Sequence, residues 1–250
     1  MAAKAKMRAD QLLVARGLAD SRSRAQALIM AGQVLTGDQP VRKAGDMLAA
    51  DAPLSLRGQD HPWVSRGGLK LEHGLAHFGW DAQGAVVLDV GASTGGFTQV
   101  ALAHGAAKVY AVDVGHGQLA WSLRNDPRVV VLERINARYL TVEQIPEPVD
   151  LIVCDASFIS LKTVLPAALA LTRPKARLLA LIKPQFEAGR DAVGKGGVVR
   201  DAAVHDAVCA DIAAWLDGLA GWRVLGLCTS PITGPQGNVE YLIAAEKGGG

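Results

Sequence analysis

The sequence predicts an α/β protein in which a small α+β domain precedes a doubly wound, mostly parallel sheet. From residue 86 onward, short apolar runs alternate with helix-compatible segments, and several of these runs end in Asp or Lys. A glycine-rich turn follows the first run, which is typical of the nucleotide-binding edge of a parallel sheet. Half of the 250 residues are hydrophobic, enough to bury such a sheet beneath helices on both faces.

The main domain is expected to contain seven strands. They are predicted at 86–90, 109–112, 129–132, 151–154, 178–182, 224–227 and 240–244. Helices are predicted between several of them, at 99–104, 161–172 and 201–217. Only the Pro/Gly-rich loop 231–237 joins the last two strands. Because that loop is too short for a helical crossover, the seventh strand should run antiparallel to the sixth.

A separate small domain is predicted over residues 1–60, and the main domain over 61–250. The small domain should contain a helix over 8–16, a helix over 22–31 capped by Ser21, and a hairpin of 33–36 and 41–42 around the turn 37–40. A unit of roughly 55 residues is marginally stable alone but adequate beside a larger domain. The stretch 57–68, rich in Gly, Pro, Arg and Ser, is the predicted junction.

Positive charge is concentrated at the N-terminal end. The net charge is +2, but residues 1–70 hold eleven Lys and Arg against six Asp, which gives +5 there and leaves −3 for the remainder. A basic end on a nearly neutral protein indicates a polyanionic partner such as nucleic acid, although a solvated surface would look the same.

Several other function classes find no support in the sequence. The longest uncharged stretch, 90–107, contains the glycine loop and is therefore not a membrane span. The three cysteines show no Cys-x-x-Cys pairing, which suits a reducing compartment. The six histidines are interpreted as scattered without metal-ligand spacing. We therefore expect a cytoplasmic protein with no membrane partner and no metal.

The glycine-rich turn does not match the common phosphate-binding motifs. Asp89 precedes its first glycine by two residues, and the spacing is Asp-x-Gly-x-x-x-Gly-Gly. This is neither the Gly-x-Gly-x-x-Gly dinucleotide fingerprint nor a loop ending in Gly-Lys-Ser/Thr. A loop that need not cradle a pyrophosphate can instead hold the amino acid end of S-adenosylmethionine.

Two polar residues after the next strands extend this candidate cofactor site. Asp113 lies 24 residues after Asp89, near the usual distance to an acid that binds a ribose diol. It could equally cap a helix starting near Gly115. Asn136 could contact the adenine amino group, or it could simply form a turn.

A lysine closes the fifth predicted strand and is a candidate catalytic base. Lys183 follows five apolar residues and precedes a proline. It could snorkel to water. Alternatively, partial desolvation beside another cation would favour its neutral amine, which can accept a proton. Asp155 on the neighbouring strand could orient it, Lys70 could supply the second positive charge, and Glu240 could reach the same edge of the sheet.

These residues resemble a known family. Residues 64–246 resemble the FtsJ-type ribose methyltransferases, which have a Lys-Asp-Lys-Glu tetrad. Residues 8–57 resemble the S4-type RNA-binding domain, through Arg8-Ala-Asp-Gln-Leu-Leu and Ser21-Arg-Ser-Arg-Ala-Gln-Ala-Leu-Ile. With Ser65-Arg-Gly-Gly-Leu-Lys, Asp155-Ala-Ser-Phe-Ile-Ser and Lys183-Pro-Gln-Phe-Glu, nearly the whole chain resembles the TlyA, or hemolysin A-like, ribosomal RNA 2′-O-methyltransferases.

The resemblance implies a Rossmann-like methyltransferase fold, S-adenosylmethionine as cofactor, and a ribose hydroxyl of ribosomal RNA, cytidine in particular, as substrate. The implied catalytic residues are Lys70, Asp155, Lys183 and Glu240. The predicted cofactor contacts are Asp89, Gly91, Ala92, Ser93, Thr94, Gly95, Gly96, Phe97, Asp113, Asn136 and Asp155. We assign Lys183 as the base, Asp155 as the group that orients it, and the other two tetrad members as field-setting and hydroxyl-positioning groups.

Contacts to RNA are expected from basic residues in both domains. The candidates are Arg8, Arg16, Arg22, Arg24, Arg66, Arg190 and Lys195. The last two belong to the glycine-rich segment 187–200, which is either a mobile loop on RNA phosphates or a plain solvated loop. Two other functions stay open: a membrane-active hemolysin, and a non-catalytic RNA-binding factor in ribosome assembly.

Overall fold

The computed structural model of the chain describes residues 6–19, 21–37, 39–56, 61–234 and 236–249, apart from the side chain of Arg190. Several parts of the sequence predictions lie outside the described residues. They are residues 1–5 and 20 of the predicted small domain, Asp38 of the predicted turn, residues 57–60 of the predicted junction, residue 235 of the loop 231–237, residue 250 of the predicted main domain, and the Arg190 side chain.

The N-terminal unit combines two short helices with small sheets. Its elements are β1 (Lys6–Arg8), α1 (Ala9–Ala15), α2 (Arg22–Met30), β2 (Val34–Thr36), β3 (Gln39–Pro40), β4 (Met47–Ala49) and β5 (Leu54–Leu56). Strand β1 pairs with β4, and the other three strands form a sheet in the order β3-β2-β5. Both predicted helices are confirmed, and Ser21 Oγ accepts a hydrogen bond from Arg24 N at 3.2 Å.

The predicted hairpin in this unit is partly wrong. The second strand is Gln39–Pro40 and not 41–42, because the chain turns back sooner and Leu35 pairs with Pro40. Sequence analysis also missed β1, β4 and β5. Each of these strands has only three residues, too few to show an alternating pattern.

The second unit begins with a helix that overlaps the predicted junction. Its elements are α3 (Gly67–Phe78), β6 (Val86–Val90), α4 (Gly96–Ala103), β7 (Lys108–Asp113), α5 (Trp121–Arg124), β8 (Val129–Glu133), β9 (Val149–Cys154), α6 (Leu161–Ala170), β10 (Thr172–Ile182), α7 (Pro184–Glu187), α8 (Ala202–Asp217), β11 (Trp222–Thr229) and β12 (Tyr241–Lys247). Residues 67 and 68 are therefore helical, and the predicted junction extends too far.

Within the described residues, seven strands form one sheet in the order β11-β12-β10-β9-β6-β7-β8. The five strands β10, β9, β6, β7 and β8 are parallel to one another. Strand β12 lies between β10 and β11 and is antiparallel to both. The predicted fold class is confirmed.

Apolar side chains fill both faces of this sheet. Leu88 and Ile152 are fully buried on one face, and Val87 and Leu179 on the other. The parallel strands are buried on both faces, which explains why they appear in the sequence as continuous apolar runs. No helix among the described residues has both the length and the apolar character needed to cross a bilayer.

Candidate active site

The turn after β6 requires glycine at its first position. Gly91 has φ +84°, and a Cβ there would lie 3.0 Å from the backbone N and Cα of Ala156. A side chain would therefore be strained and would collide with backbone from the end of β9. The amides of Gly91 and Ala92 both donate to the Val112 carbonyl, at 2.9 and 3.0 Å. These bonds fix the turn between the carboxyl ends of β7 and β9.

The two later glycines of the loop allow close packing. A Cβ on Gly95, where φ is +96°, would lie 2.3 Å from Leu123 Cδ1, and one on Gly96 would lie 2.4 Å from Ser65 Oγ. Gly95 lines neither of the cavities described next. Its place in the loop is therefore explained by packing against α5.

Two adjoining cavities open along the carboxyl edge of the sheet. The larger, about 640 Å³, contains the predicted residues Asp113 and Asn136. The smaller, about 410 Å³, contains Lys70, Lys183 and Glu240. The cavities share Gly91, Ser93, Asp155, Ser157 and Phe158, while Ala92, Thr94, Gly96 and Phe97 line only the smaller one.

The Asp113 carboxylate is held in place by the backbone around the larger cavity. Its Oδ2 accepts a hydrogen bond from Ser93 N at 2.8 Å, and its Oδ1 accepts one from Gly115 N at 2.6 Å. The alternative in which Asp113 caps a helix near Gly115 is wrong, because the next helix, α5, begins at Trp121. Each carboxylate oxygen still has a lone pair for a ligand in the cavity.

The turn interpretation of Asn136 is confirmed, and its contact with adenine stays a prediction. Its Oδ1 accepts a hydrogen bond from Arg138 N at 3.1 Å and so caps a short turn. The same side chain lines the larger cavity, and its amide NH₂ is a donor group there.

The four predicted catalytic residues meet in the smaller cavity. Lys70 Nζ donates to Glu240 Oε2 at 2.6 Å and lies 3.7 Å from Asp155 Oδ2. Lys183 Nζ lies 2.5 Å from Asp155 Oδ1, as an ion pair whose angles are not those of a hydrogen bond. Asp155 therefore bridges the two lysines.

These charges are almost completely removed from solvent. Lys70 is 7 %, Lys183 6 % and Glu240 1 % exposed. Burying charges is costly unless each one is paired, and here two cations face two anions. Lys183 has two further acceptors, Ser157 Oγ at 2.9 Å and the Asp155 carbonyl at 3.2 Å. The sequence did not single out Ser157, because one Ser after a strand is ordinary turn chemistry.

An exposed aromatic residue lies at the boundary between the cavities. Phe158 is 86 % exposed and has φ +64°, a conformation that is strained for a bulky residue. Its ring centroid is 4.9 Å from that of Phe186. Gln185 lines the smaller cavity, and its Oε1 is a buried acceptor without a hydrogen-bond partner. No role was predicted from the sequence for Phe158, Phe186 or Gln185.

Asp89 lies beneath the glycine loop and lines neither cavity. It is fully buried. Its Oδ2 accepts a hydrogen bond from Thr98 Oγ1 at 2.6 Å, and its Oδ1 has no partner. Burial raises the pKa of Asp89 to about 7, and the charges of Asp155 and Asp113 add to that rise.

The basic residues predicted to contact RNA do not form one cluster. Arg8 and Arg22 converge on the buried carboxylate of Asp10, at 3.0 and 3.1 Å. Hydrogen bonds, that of Arg8 foremost, hold the pKa of Asp10 well below its usual range. Arg16 donates to the Ala50 carbonyl at 2.5 Å. This group is a rigid basic surface on the N-terminal unit.

Arg24 and Arg66 lie together at the contact between the two units. Both line a third cavity, about 460 Å³, and Arg66 also lines the smaller cavity of the active site. Lys195 is exposed in the segment after α7. Buried Asn238 anchors that segment by accepting from Val199 N at 3.0 Å and donating to the Gly197 carbonyl at 2.8 Å.

The interpretation of the histidines as scattered is wrong in one place. His73 and His77 lie one turn apart on α3, and β11 brings Cys228 to them, so that one ligand atom from each lies within 4.8 Å of the others. The four-residue spacing was visible in the sequence. The cysteine was not, because its approach depends on the sheet order.

Comparison with known proteins agrees with this geometry. The FtsJ-like methyltransferase profile matches residues 63–247, and the S4 domain profile matches residues 7–52. The chain therefore belongs to the FtsJ-like methyltransferase family and carries an S4 domain at its N-terminal end. This confirms the methyltransferase class expected from the sequence. The boundary between residues 60 and 61 stays a prediction.

Among its relatives, the chain is similar to TlyA of Mycobacterium tuberculosis, a 16S/23S rRNA (cytidine-2′-O)-methyltransferase. They are 50% identical over 94% of this chain and 88% of TlyA. The candidate rRNA methyltransferase YqxC of Bacillus subtilis is 46% identical over 95% of this chain and 85% of YqxC. A solved structure of a candidate hemolysin from Streptococcus thermophilus superimposes with TM-score 0.74 at 42% identity, covering 98% of this chain and 90% of that one.

Proposed function

We propose that this methyltransferase transfers a methyl group from S-adenosylmethionine to a ribose 2′-hydroxyl of ribosomal RNA, with cytidine as the modified nucleoside and ribosomal subunits as its cytoplasmic partners. The observation that carries the proposal is the charged group where two cavities join, in which buried Lys70, Lys183 and Glu240 surround the partly exposed Asp155. Cytidine and ribosomal RNA are proposed because the relative from Mycobacterium tuberculosis acts on them.

The residues of the larger cavity fit S-adenosylmethionine. Asp113 has free acceptor capacity for a ribose diol, and Asn136 offers an amide to the edge of a base. The turn at Gly91 lines both cavities, so its backbone borders the space proposed for the cofactor. When bound, S-adenosylmethionine supplies a methyl group that is already activated by its sulfonium sulfur. The chain therefore has two tasks, to align the hydroxyl with that methyl group and to remove its proton.

Lys183 is the proposed base. The three oxygens around its Nζ are the partners of an ammonium group. Accepting a proton requires a free lone pair on Nζ, so one of these contacts must give way to the substrate hydroxyl. Lys70 lies beside the other oxygen of Asp155. Its positive charge weakens the attraction between the Asp155 carboxylate and the Lys183 ammonium group. Glu240 anchors Lys70 in this position.

The rim of the site suits an unstacked nucleotide. The exposed Phe158 ring beside Phe186 offers a stacking surface, and single-stranded bases commonly stack on aromatic side chains. Arg66 at the mouth of the same cavity and the rigid basic surface of Arg8 and Arg22 supply charges for the RNA backbone. We propose that residues 1–60 act mainly in RNA binding and residues 61–250 in catalysis.

The proposal is tested with Lys183→Ala, with Lys162→Ala as matched control, since Lys162 is paired with Asp211 on the surface of α6. Transfer of labelled methyl groups to ribosomal subunits is measured beside calorimetric binding of S-adenosylmethionine. We expect Lys183→Ala to lose about 10²–10⁴-fold in rate, the usual contribution of a general base, with cofactor affinity nearly unchanged. The control should keep the wild-type rate.

Two results would count against the proposal. Rapid methyl transfer by Lys183→Ala would exclude this lysine as the base. A wild-type chain that binds ribosomal RNA but no S-adenosylmethionine would favour a non-catalytic assembly factor. Mapping ribose methyl marks on ribosomal RNA, with and without the protein, then identifies the modified nucleotide.

A further inference from the structure

We propose that His73, His77 and Cys228 form a zinc-binding site between α3 and the edge strand β11. It is separate from the residues proposed for methyl transfer, none of which belongs to it. The site rests on the approach of the three donor atoms, on their lack of other polar partners, and on the chemistry of the donor set.

The fold brings the donors together from two elements. His73 and His77 are four residues apart on α3, so their rings project from the same face of the helix, with centroids 6.1 Å apart. Cys228 lies near the end of β11. The end of the helix is in contact with this strand: a Cβ on Gly226 of β11 would lie 3.6 Å from the ring of Phe78.

The donor distances are close to those of a tetrahedral site. One nitrogen of each histidine and the Cys228 sulfur all lie within 4.8 Å of one another. Zinc bonds of about 2.0–2.1 Å to nitrogen and about 2.3 Å to sulfur place neighbouring ligands roughly 3.4–3.6 Å apart. The donors must therefore approach by up to about 1.4 Å to bind one ion, and His77 is exposed, so its side chain can move without disturbing the core.

The three donor groups have no competing polar contacts. Across the part of the chain that the structure describes, His73, His77 and Cys228 make no hydrogen bond or ion pair, and the aromatic neighbours of the two rings are each other and Phe78. His73 is half buried, and polar groups removed from water usually have a hydrogen-bond partner. A metal ion would satisfy both of these rings and the thiolate together.

The chemistry of the donors favours zinc. Two imidazoles and one thiolate suit a borderline-soft ion with tetrahedral preference, and they are poor ligands for magnesium or calcium. Three protein ligands leave the fourth position to water. The bound ion would connect α3, whose first turn carries Lys70, to the outermost strand of the sheet, and would stabilise the folded chain by linkage.

The experiment uses the full chain with Co²⁺ as a spectroscopic probe and Zn²⁺ in calorimetry. The variants are His77→Gln and Cys228→Ser, and the matched controls are Cys209→Ser and His104→Gln. We expect one ion per wild-type chain, a thiolate-to-cobalt charge-transfer band, and a rise in Tm with Zn²⁺. Each site variant should bind at least about tenfold more weakly, because even outer-shell changes cost about 10–100-fold, and both controls should behave as wild type.

Because His77 is exposed, its replacement should leave the core intact, and circular dichroism checks that the variant folds. A loss of metal binding in His77→Gln can then be attributed to the missing ligand. Absence of the charge-transfer band in the wild type would overturn the proposal. Equal metal affinity in wild type and His77→Gln would overturn it as well. If the band persists in Cys228→Ser and disappears in Cys209→Ser, the thiolate ligand is Cys209. That result would also overturn the proposal.

Discussion

The buried carboxyl of Asp89 should make the stability of the chain depend on pH. An unfolded Asp titrates near pH 3.9, whereas burial raises the pKa of folded Asp89 to about 7. Between these values the folded state holds a proton that the unfolded state has released, so the free energy of unfolding falls as the pH rises. The slope is at most about 1.4 kcal/mol per pH unit and flattens near pH 7, where folded Asp89 is half deprotonated, so the loss between pH 5 and pH 7 is about 2 kcal/mol.

Asp89→Asn removes this ionisation while keeping the shape of the side chain and an acceptor for Thr98. The stability of the variant relative to wild type should therefore increase by about 2 kcal/mol between pH 5 and pH 7, as measured by urea unfolding at several pH values. Asp211→Asn is the control, because the side chain of Asp211 is 65% exposed. A stability difference between Asp89→Asn and wild type that stays constant from pH 5 to pH 8 would refute the reasoning.

Three further changes test other parts of the structure. Gly91→Ala should cost about 1–2 kcal/mol from its left-handed backbone alone and weaken S-adenosylmethionine binding about tenfold or more by calorimetry. Asp10→Ala should destabilise the chain by about 2 kcal/mol, below the usual cost of a broken buried pair because its partners Arg8 and Arg22 are half exposed. Because the pKa of folded Asp10 is lowered, Asp10 contributes to the free energy of unfolding above about pH 4, and this contribution is lost as the pH falls. Urea unfolding of wild type and Asp10→Ala at several pH values measures the loss. Asn238→Ala removes both hydrogen bonds of this buried side chain, and we expect the free energy of unfolding to fall by about 1–3 kcal/mol. Hydrogen exchange at the Val199 amide should become faster. Unchanged exchange would contradict the anchoring role of Asn238.

The sheet could be predicted because its strands are buried on both faces. The segments 151–154 and 178–182 are unbroken apolar runs within β9 and β10. The residues that follow them, Asp155 and Lys183, share one edge because the two strands are parallel. The antiparallel seventh strand followed from the length of one loop. These features depend on local pattern and chain connectivity, which a single sequence contains.

Features that depend on contacts between distant segments could not be predicted in the same way. The pairing of Lys70 with Glu240 spans 170 residues and requires β12 to lie between β10 and β11. Asp10 looks like an ordinary first-turn acid until Arg8 and Arg22 fold over it. The three-residue strands of the N-terminal unit are fixed by pairing alone, so their sequences show no period.

The position of β12 in the sheet has a consequence for the order in which the site assembles. Glu240 immediately precedes this strand, which follows the other six strands of the sheet in the chain. A chain truncated before Glu240 leaves Lys70 without its buried counter-ion and the inner edge of β10 unpaired. The charge group is therefore completed only when β12 enters the sheet between β10 and β11.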